Sequence, residues 1–446
     1  MAIVAQGATA VDCSMATTPA MFMSLVYEET KYDGSMMITA SHLPFNRNGI
    51  KFFEPENGGM EKKEGILMDK NNGAIYDARK LGKPKMIILG VQHMFAMFGA
   101  TILVPILTGL DISTTLLMAG LGTLLFHCIT KFKVPAFLGS SFAFLGGYAA
   151  IKAFSPNDPN SMLPYACLGV ACAGLIYFIL AAVIKAVGIE KVMRFFPPVV
   201  TGPIIIAIGL GLAPSAVSNC TTNWFLAVVA LAVIVVFNIW GKGMAKIIPI
   251  ILGLLISYGT GLVLYFISQA NPDLIQNVPW LFAGGADANG VYQPIFDFTS
   301  LNTICDNISK GHIFGSEGLI GIPIHWDKTV FGGIDYSNGA LIASSIIAIV
   351  PIAFATMMEH IGDICAISST TGNNYIKDPG LHRTLVGDGL ATTLASLFGG
   401  PANTTYGENT GVLALTRVYD PRVIRIAAYF AVAVSFFPIV SVIIGS

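Results

Sequence analysis

Residues 134–147, VPAFLGSSFAFLGG, and 399–411, GGPANTTYGENTG, share one irregularity. Each is short and interrupted by Gly, Pro, Ser, Thr or Asn, and each leads into an apolar half-helix. Broken backbone of this kind is tolerated at bilayer depth only where protein or a water-filled cavity satisfies the freed N–H and C=O groups. A pair of such segments in the two halves of a chain is the best pointer in a sequence to a binding site near the membrane midplane.

Outward from these two, apolar stretches lie near 86–107, 114–130, 134–153, 163–187, 198–217, 224–240, 247–268, 338–358, 384–399, 405–416 and 423–445, which makes eleven candidate spans. If each half has seven spans, segments three and ten occupy equivalent positions. The composition agrees. The chain has 446 residues, 54% of them hydrophobic and 11% charged, with a mean hydropathy of +0.69. A soluble domain carries roughly 25% charged residues. Of the 51 charged side chains, 20 fall in 1–85, 9 in 269–336 and 22 in the other 293 positions. Long charge-free runs of about 20 residues are natural bilayer spans. A net charge of −1 leaves no footprint for nucleic acid.

Basic residues test the span count independently, because cytoplasmic loops are enriched in Lys and Arg. Lys131, Lys133, Lys185, Lys191, Arg194, Lys242, Lys246, Lys377, Arg383, Arg417, Arg422 and Arg425 all fall on the side where Lys80, Lys83 and Lys85 place the segment before the first span. The other side holds Lys310 and Lys328, with Lys152 near its boundary, and many Asp residues. The N-terminal lead-in, 68–85, is therefore predicted cytoplasmic and the protein a multi-pass component of the cell (plasma or inner) membrane. The connection 269–336 becomes a long outer loop. The seven scattered cysteines form no C-x-x-C pair or zinc-type cluster, so neither a metal nor another cofactor is expected. MAIVAQGATA lacks the basic n-region and apolar core of a cleaved signal peptide.

A charge inside a span is costly, about 2.5–3.5 kcal/mol on the mildest scale, and each one calls for a function. Glu359 lies in IIAIVPIAFATMMEHIGDI and Glu408 in PANTTYGENTGVLAL. Asp363 is one helical turn after Glu359 on the same face. It either joins the site or marks the approach of the helix to cytoplasm. His93 is a ligand contact or a core histidine, and Asp388 a helix cap or an inter-helix hydrogen bond.

QHMFAMFGATILVP (92–105), GSSFAF (139–144), MMEHIGD (357–363), KDPGLHRT (377–384) and NTTYGENTGVLALTRVYDPRVIR (403–425) closely resemble the nucleobase–ascorbate transporters, and among them the bacterial uracil permeases. The resemblance covers 68–446 apart from the outer loop. It implies an all-α polytopic membrane protein with fourteen spans in two inverted seven-span repeats, a core and a gate domain, and short antiparallel strands in spans three and ten that meet at the substrate. By that analogy the permease domain, 86–446, ends after about eleven of fourteen spans. The resemblance also implies proton-coupled uptake of uracil, with a xanthine or broader purine permease as the alternative. Glu359 and Glu408 would accept hydrogen bonds from the base, and the backbone amides at Phe142 and Gly407 would donate to its carbonyls. Ala100 and Tyr406 would pack on its ring. His93 would support the site, and Glu359 or Glu408 would carry the coupling proton with Asp363 as relay. Asp363 stands where some uracil permeases carry His and purine-selective relatives often carry Asp. Glu408 stands where the purine type commonly shows Gln, and on balance this favours uracil. A homodimer is compatible with the family.

Residues 1–67 do not fit this scheme. MATTPAMFMS (15–24), TASHLPFNRNG (39–49) and GIKFF (49–53) resemble the active-site serine segment of the phosphoglucomutase/phosphomannomutase family, in which the serine at Ser41 carries the phosphoryl group beside His42. The chain shows no Asp-Gly-Asp-x-Asp-Arg metal loop and no sugar-binding region. About 67 residues without the rest of their domain bury too little surface to fold alone, so the segment reads as an inert fragment and the protein as a transporter rather than an enzyme. Two intramembrane carboxylates also disfavour an anion carrier, since like charges repel.

Overall fold

In the computed structural model, residues 35–39, 49–53, 74–188, 210, 213–214, 216–241, 249–287, 290–315 and 318–445 are described. Near the N-terminus β1 (Ser35–Thr39) and β2 (Gly49–Phe53) pair antiparallel, Met37 opposite Lys51. Ser41, His42 and most of 1–67 lie outside the described residues, as does most of the candidate span 198–217.

The first half of the membrane region contains α1 (Lys83–Thr108), α2 (Ile112–Ile129), β3 (Leu138–Ser140), α3 (Leu145–Lys152) and α4 (Leu163–Val187). A helix pair follows, α5 (Trp224–Trp240) and α6 (Pro249–Ala270), then a small hairpin, β4 (Ala283–Ala286) with β5 (Tyr292–Pro294), and α7 (Thr299–Ser309). The second half contains α8 (Gly339–Ile349), α9 (Ile352–Thr371), α10 (Leu381–Leu397), β6 (Asn403–Thr405), α11 (Gly407–Thr416), α12 (Pro421–Ser435) and α13 (Pro438–Gly445). Among the described residues, five helical stretches are long and apolar enough to cross a membrane: Lys83–Thr108, Ile112–Ile129, Pro159–Val187, Leu252–Ala270 and Gly339–Thr371.

The last of these differs from the expected span 338–358. Helix α8 runs into α9 through a break at Pro351, whose ring and missing N–H interrupt the ladder, and the helix then continues to Thr371. Glu359 and Asp363, which follow the expected span end at 358, therefore lie within one continuous helix, and the Thr405 hydroxyl reaches Asp363 from another segment. The expected span 423–445 is likewise divided, between α12 and α13, ahead of Pro438.

Helices α2 and α10 lie against each other at the centre, with α4 packed along α10 and α12 along α2. The order helix, helix, strand, half-helix, helix thus occurs twice, and the last helix of each set packs on the second helix of the other. The α4–α10 contact is a close backbone approach. A Cβ added at Gly174 would stand 2.7 Å from the Gly389 carbonyl oxygen, and one at Gly389 2.6 Å from that of Gly174. Gly174→Val is therefore expected to destabilise the bundle by more than the ~1–3 kcal/mol of ordinary overpacking. It should be seen as loss of monodisperse protein after detergent extraction. Gly259→Val is the control, since a Cβ there meets nothing within 4 Å.

One end of the bundle is tied together by the lead-in. The Tyr76 hydroxyl donates to the Thr371 carbonyl at 2.7 Å, the Ile75 N–H donates to the Arg417 carbonyl and the Tyr419 N–H to the Ile75 carbonyl, both at 2.8 Å, and the Ala78 N–H donates to Asp420 Oδ2 at 2.8 Å. Arg422 reaches Asp77 at 3.0 Å. The Arg79 guanidinium, hydrogen-bonded to Asp77, holds that carboxyl well below the usual carboxylate range. Lys133 pairs with Asp378 at the same end.

Candidate functional site

The two broken segments meet. Strands β3 and β6 pair antiparallel with Leu138 opposite Thr405, Gly139 opposite Thr404 and Ser140 opposite Asn403. The pairing extends one step on each side, from the Ser141 N–H to the Ala402 carbonyl at 2.9 Å and from the Tyr406 N–H to the Phe137 carbonyl at 3.0 Å. Pro135 and Pro401 stop either segment from entering as a helix. Further polar groups of the strands bond to the central helices. Thr123 of α2 accepts from the Leu138 N–H at 2.9 Å, Thr392 of α10 donates to the Asn403 carbonyl at 2.6 Å, and the Asn403 amide donates to the Met118 carbonyl at 2.6 Å. Partners of this kind are what backbone outside a helix requires at bilayer depth.

Each strand delivers the chain to the start of a short helix. Phe142 opens the turn Phe142–Phe144 and Gly407 opens α11, and neither start has a side-chain cap. The first N–H groups of a helix have no intrahelical acceptor, and the helix dipole favours electron-rich atoms there. A Cβ placed at Gly407 would meet only Asp363 Oδ1, at 3.9 Å, so the backbone is open at this point. Glu408 follows directly and is exposed, as is Glu359 on α9. Helix α9, which carries Glu359 and Asp363, packs on α11, which carries Glu408.

The other expected residues divide into two groups. Ala100 and Tyr406 belong to one apolar cluster, with Phe142 packed against it. The Tyr406 hydroxyl donates to the Ser140 carbonyl at 2.9 Å and receives Thr101 Oγ1 at 3.3 Å, so its ring is held across Gly139. His93 is fully buried. Its Nδ1 and carbonyl meet the Asn409 amide at 3.2 and 3.1 Å. It braces α11, the helix that carries Glu408, against α1.

Asp388 is fully buried and accepts from the Thr405 N–H at 3.1 Å, with His360 Nδ1 at 3.4 Å. The Thr405 hydroxyl donates to Asp363 Oδ2 at 2.9 Å and stands 3.3 Å from His360 Nδ1. Asp388 thus ties α10 to the strand β6 and faces His360 of α9. Asp363 is joined to the site strand and does not mark a helix end. Sequence reasoning missed Thr405, Thr101, His360 and Asn409. Thr405 and Asn409 flank YGE in the quoted motif, and that adjacency was the available signal. His360 points one residue away from Glu359 on the helix, toward the buried side. Among the described residues no group of three or more His, Cys, Asp or Glu is placed to hold a metal ion.

Residues 84–446 match the model of a permease family. The chain belongs to this family. The membership expected from its motifs is thereby shown, and with it a helical, multi-pass membrane protein. The uracil permease of Bacillus caldolyticus is 37% identical over 371 residues, covering 81% of this chain and 73% of that protein. The uracil permease of Bacillus subtilis is also 37% identical, covering 81% and 74%, and a probable uracil permease of Haemophilus influenzae is 37% identical, covering 80% and 75%. Among solved structures, the transmembrane domain of the cyanobacterial bicarbonate transporter BicA covers 83% of this chain and 88% of that one at 13% identity. The TM-score of that match is 0.41. Residues 2–69 match the phosphoglucomutase/phosphomannomutase alpha/beta/alpha domain I, in agreement with the N-terminal resemblance. The matched relatives are named as transporters, not enzymes.

Proposed function

We propose that the chain is a proton-coupled symporter that imports uracil across the cell membrane, with its lead-in on the cytoplasmic side. The observation that carries this reading is the β3–β6 pair, which brings two uncapped helix starts, at Phe142 and Gly407, beside two accessible carboxylates, Glu359 and Glu408. Uracil is uncharged, with two N–H donors and two C=O acceptors. Carboxylates complement the donors and main-chain N–H groups the acceptors. The names of the relatives support the same substrate. The antiparallel strands and the twice-occurring element order support an inverted seven-span repeat, in which the α5–α6 pair belongs to the gate and the α2–α10 bundle to the core. A carboxylate that meets water in one state and is enclosed in the other can link proton movement to binding, a role assigned to Glu359 or Glu408 with Asp363 and His93 behind them. Asp363 keeps a purine such as xanthine as the second reading.

Labelled uracil should accumulate in permease-deficient cells expressing the full chain, and a protonophore should abolish the accumulation. Uptake of xanthine in preference to uracil would reverse the base assignment. Protonophore-insensitive accumulation would remove the proton.

A further inference from the structure

The connection 269–336 has no part in the site, yet it is anchored at two places on two helix groups. Its first part lies on the α5–α6 pair. Asn223, which caps α5 by accepting from the Leu226 N–H, donates through Nδ2 to the Leu281 carbonyl at 3.3 Å and the Ala283 carbonyl at 2.9 Å. Tyr258 and Tyr265 of α6 pack on Phe296, with ring centroids 4.7 and 6.1 Å away. Its second part lies on the bundle. Thr114, at the start of α2, donates to the Pro323 carbonyl at 2.6 Å, and the Gly321 N–H donates to the Phe436 carbonyl at 2.9 Å. Phe331 packs between Trp326 and Phe398 at the end of α10. Between the anchors α7 rests on α13, while α6 meets the bundle chiefly at α1.

We propose that 269–336 is an outer strap that holds the α5–α6 pair at a set separation from the bundle and limits how far the two groups part on the outer face. Its consequence for transport rests on the reading above, since only a cycling carrier needs these groups to part. The geometry can be tested separately. Asn223→Asp keeps the acceptor for the Leu226 N–H and removes both donors to the strap. Thr114→Val removes the bond to Pro323 and leaves the Thr114 N–H on Asp111 Oδ1, at 2.7 Å.

The experiment places maleimide-linked nitroxides at Asn157→Cys, on the bundle, and Thr221→Cys, beside α5, both exposed. It uses the full chain in lipid nanodiscs, with the native cysteines replaced, and pulsed electron resonance. Each substitution is expected to broaden the distance distribution, and the pair together to lengthen its mean. Thr114→Ser, which keeps the donor, should return the parent distribution. Unchanged distributions in monodisperse Asn223→Asp, Thr114→Val and double variants would overturn the strap. So would a broadening by Thr114→Ser equal to that by Thr114→Val. Uracil uptake is followed in parallel. An intact distance response in a parent that carries no nucleobase would overturn the transport reading alone.

Discussion

Glu359→Gln is expected to weaken uracil binding by roughly tenfold to a hundredfold and to leave any residual uptake indifferent to a protonophore. The carboxylate is exposed beside β6, where it can accept from a ring N–H, and a hydrogen bond to a charged group is worth ~1.5–3 kcal/mol. Each ~1.4 kcal/mol is a factor of ten in affinity. Glutamine keeps one acceptor oxygen and the side-chain length, so it removes the charge and the exchangeable proton while leaving the helix intact. Because the side chain is exposed and glutamine matches it in size, extractable protein should not fall. Calorimetric binding of uracil to purified protein, with uptake measured in cells, separates the two roles. Parent affinity in Glu359→Gln would remove this carboxylate from the substrate contacts. Parent affinity with lost proton coupling would assign it to the proton alone. Glu408→Gln in the same assays tests the other carboxylate.

Gly139→Ala is expected to cost more than tenfold in uracil affinity while the protein remains folded. The added Cβ would stand 2.5 Å from Tyr406 Cε2 and 2.8 Å from Thr101 Oγ1. Neither neighbour can yield freely. The Tyr406 hydroxyl is bonded to the Ser140 carbonyl, on the residue next to the substitution, and Tyr406 immediately precedes Gly407. Overpacking of this size costs ~1–3 kcal/mol. The strain falls on the ring and the strand pair that set the positions of both helix starts. Thermal unfolding of the purified variant, together with uracil binding, tests the point. A variant that melts and binds like the parent would show that Tyr406 moves aside without affecting the substrate.

Much of the site was legible in the sequence because its signals are local. Two carboxylates in apolar runs and two segments broken by Gly and Pro are conspicuous where the surrounding 20 residues carry almost no charge. The pairing of those segments was expected only through the family resemblance. Periodicity cannot reveal which strands pair, since three residues each give no register, and the register of Leu138 on Thr405 depends on the hydroxyls of Thr123 and Thr392 arriving from two other helices. The end of the eighth span was misplaced for the converse reason. The apolar run ends at 358 and a local window leaves Asp363 open as the approach to cytoplasm, whereas Thr405, 42 residues from Asp363, provides the hydrogen bond that joins it to the strand.

The amino-acid sequence by itself determined the solvent for this chain, the positions of most spans, the two broken segments and the carboxylates worth attention, since all of these follow from hydropathy, charge and backbone chemistry over short windows. Tertiary structure decided which of those groups meet. It set His93 against Asn409, joined Asp363 and Asp388 through Thr405, held Tyr406 over Gly139, and laid the 269–336 connection across two helix groups. These are contacts between residues tens to hundreds of positions apart, and they arise only when packing brings their backbones together.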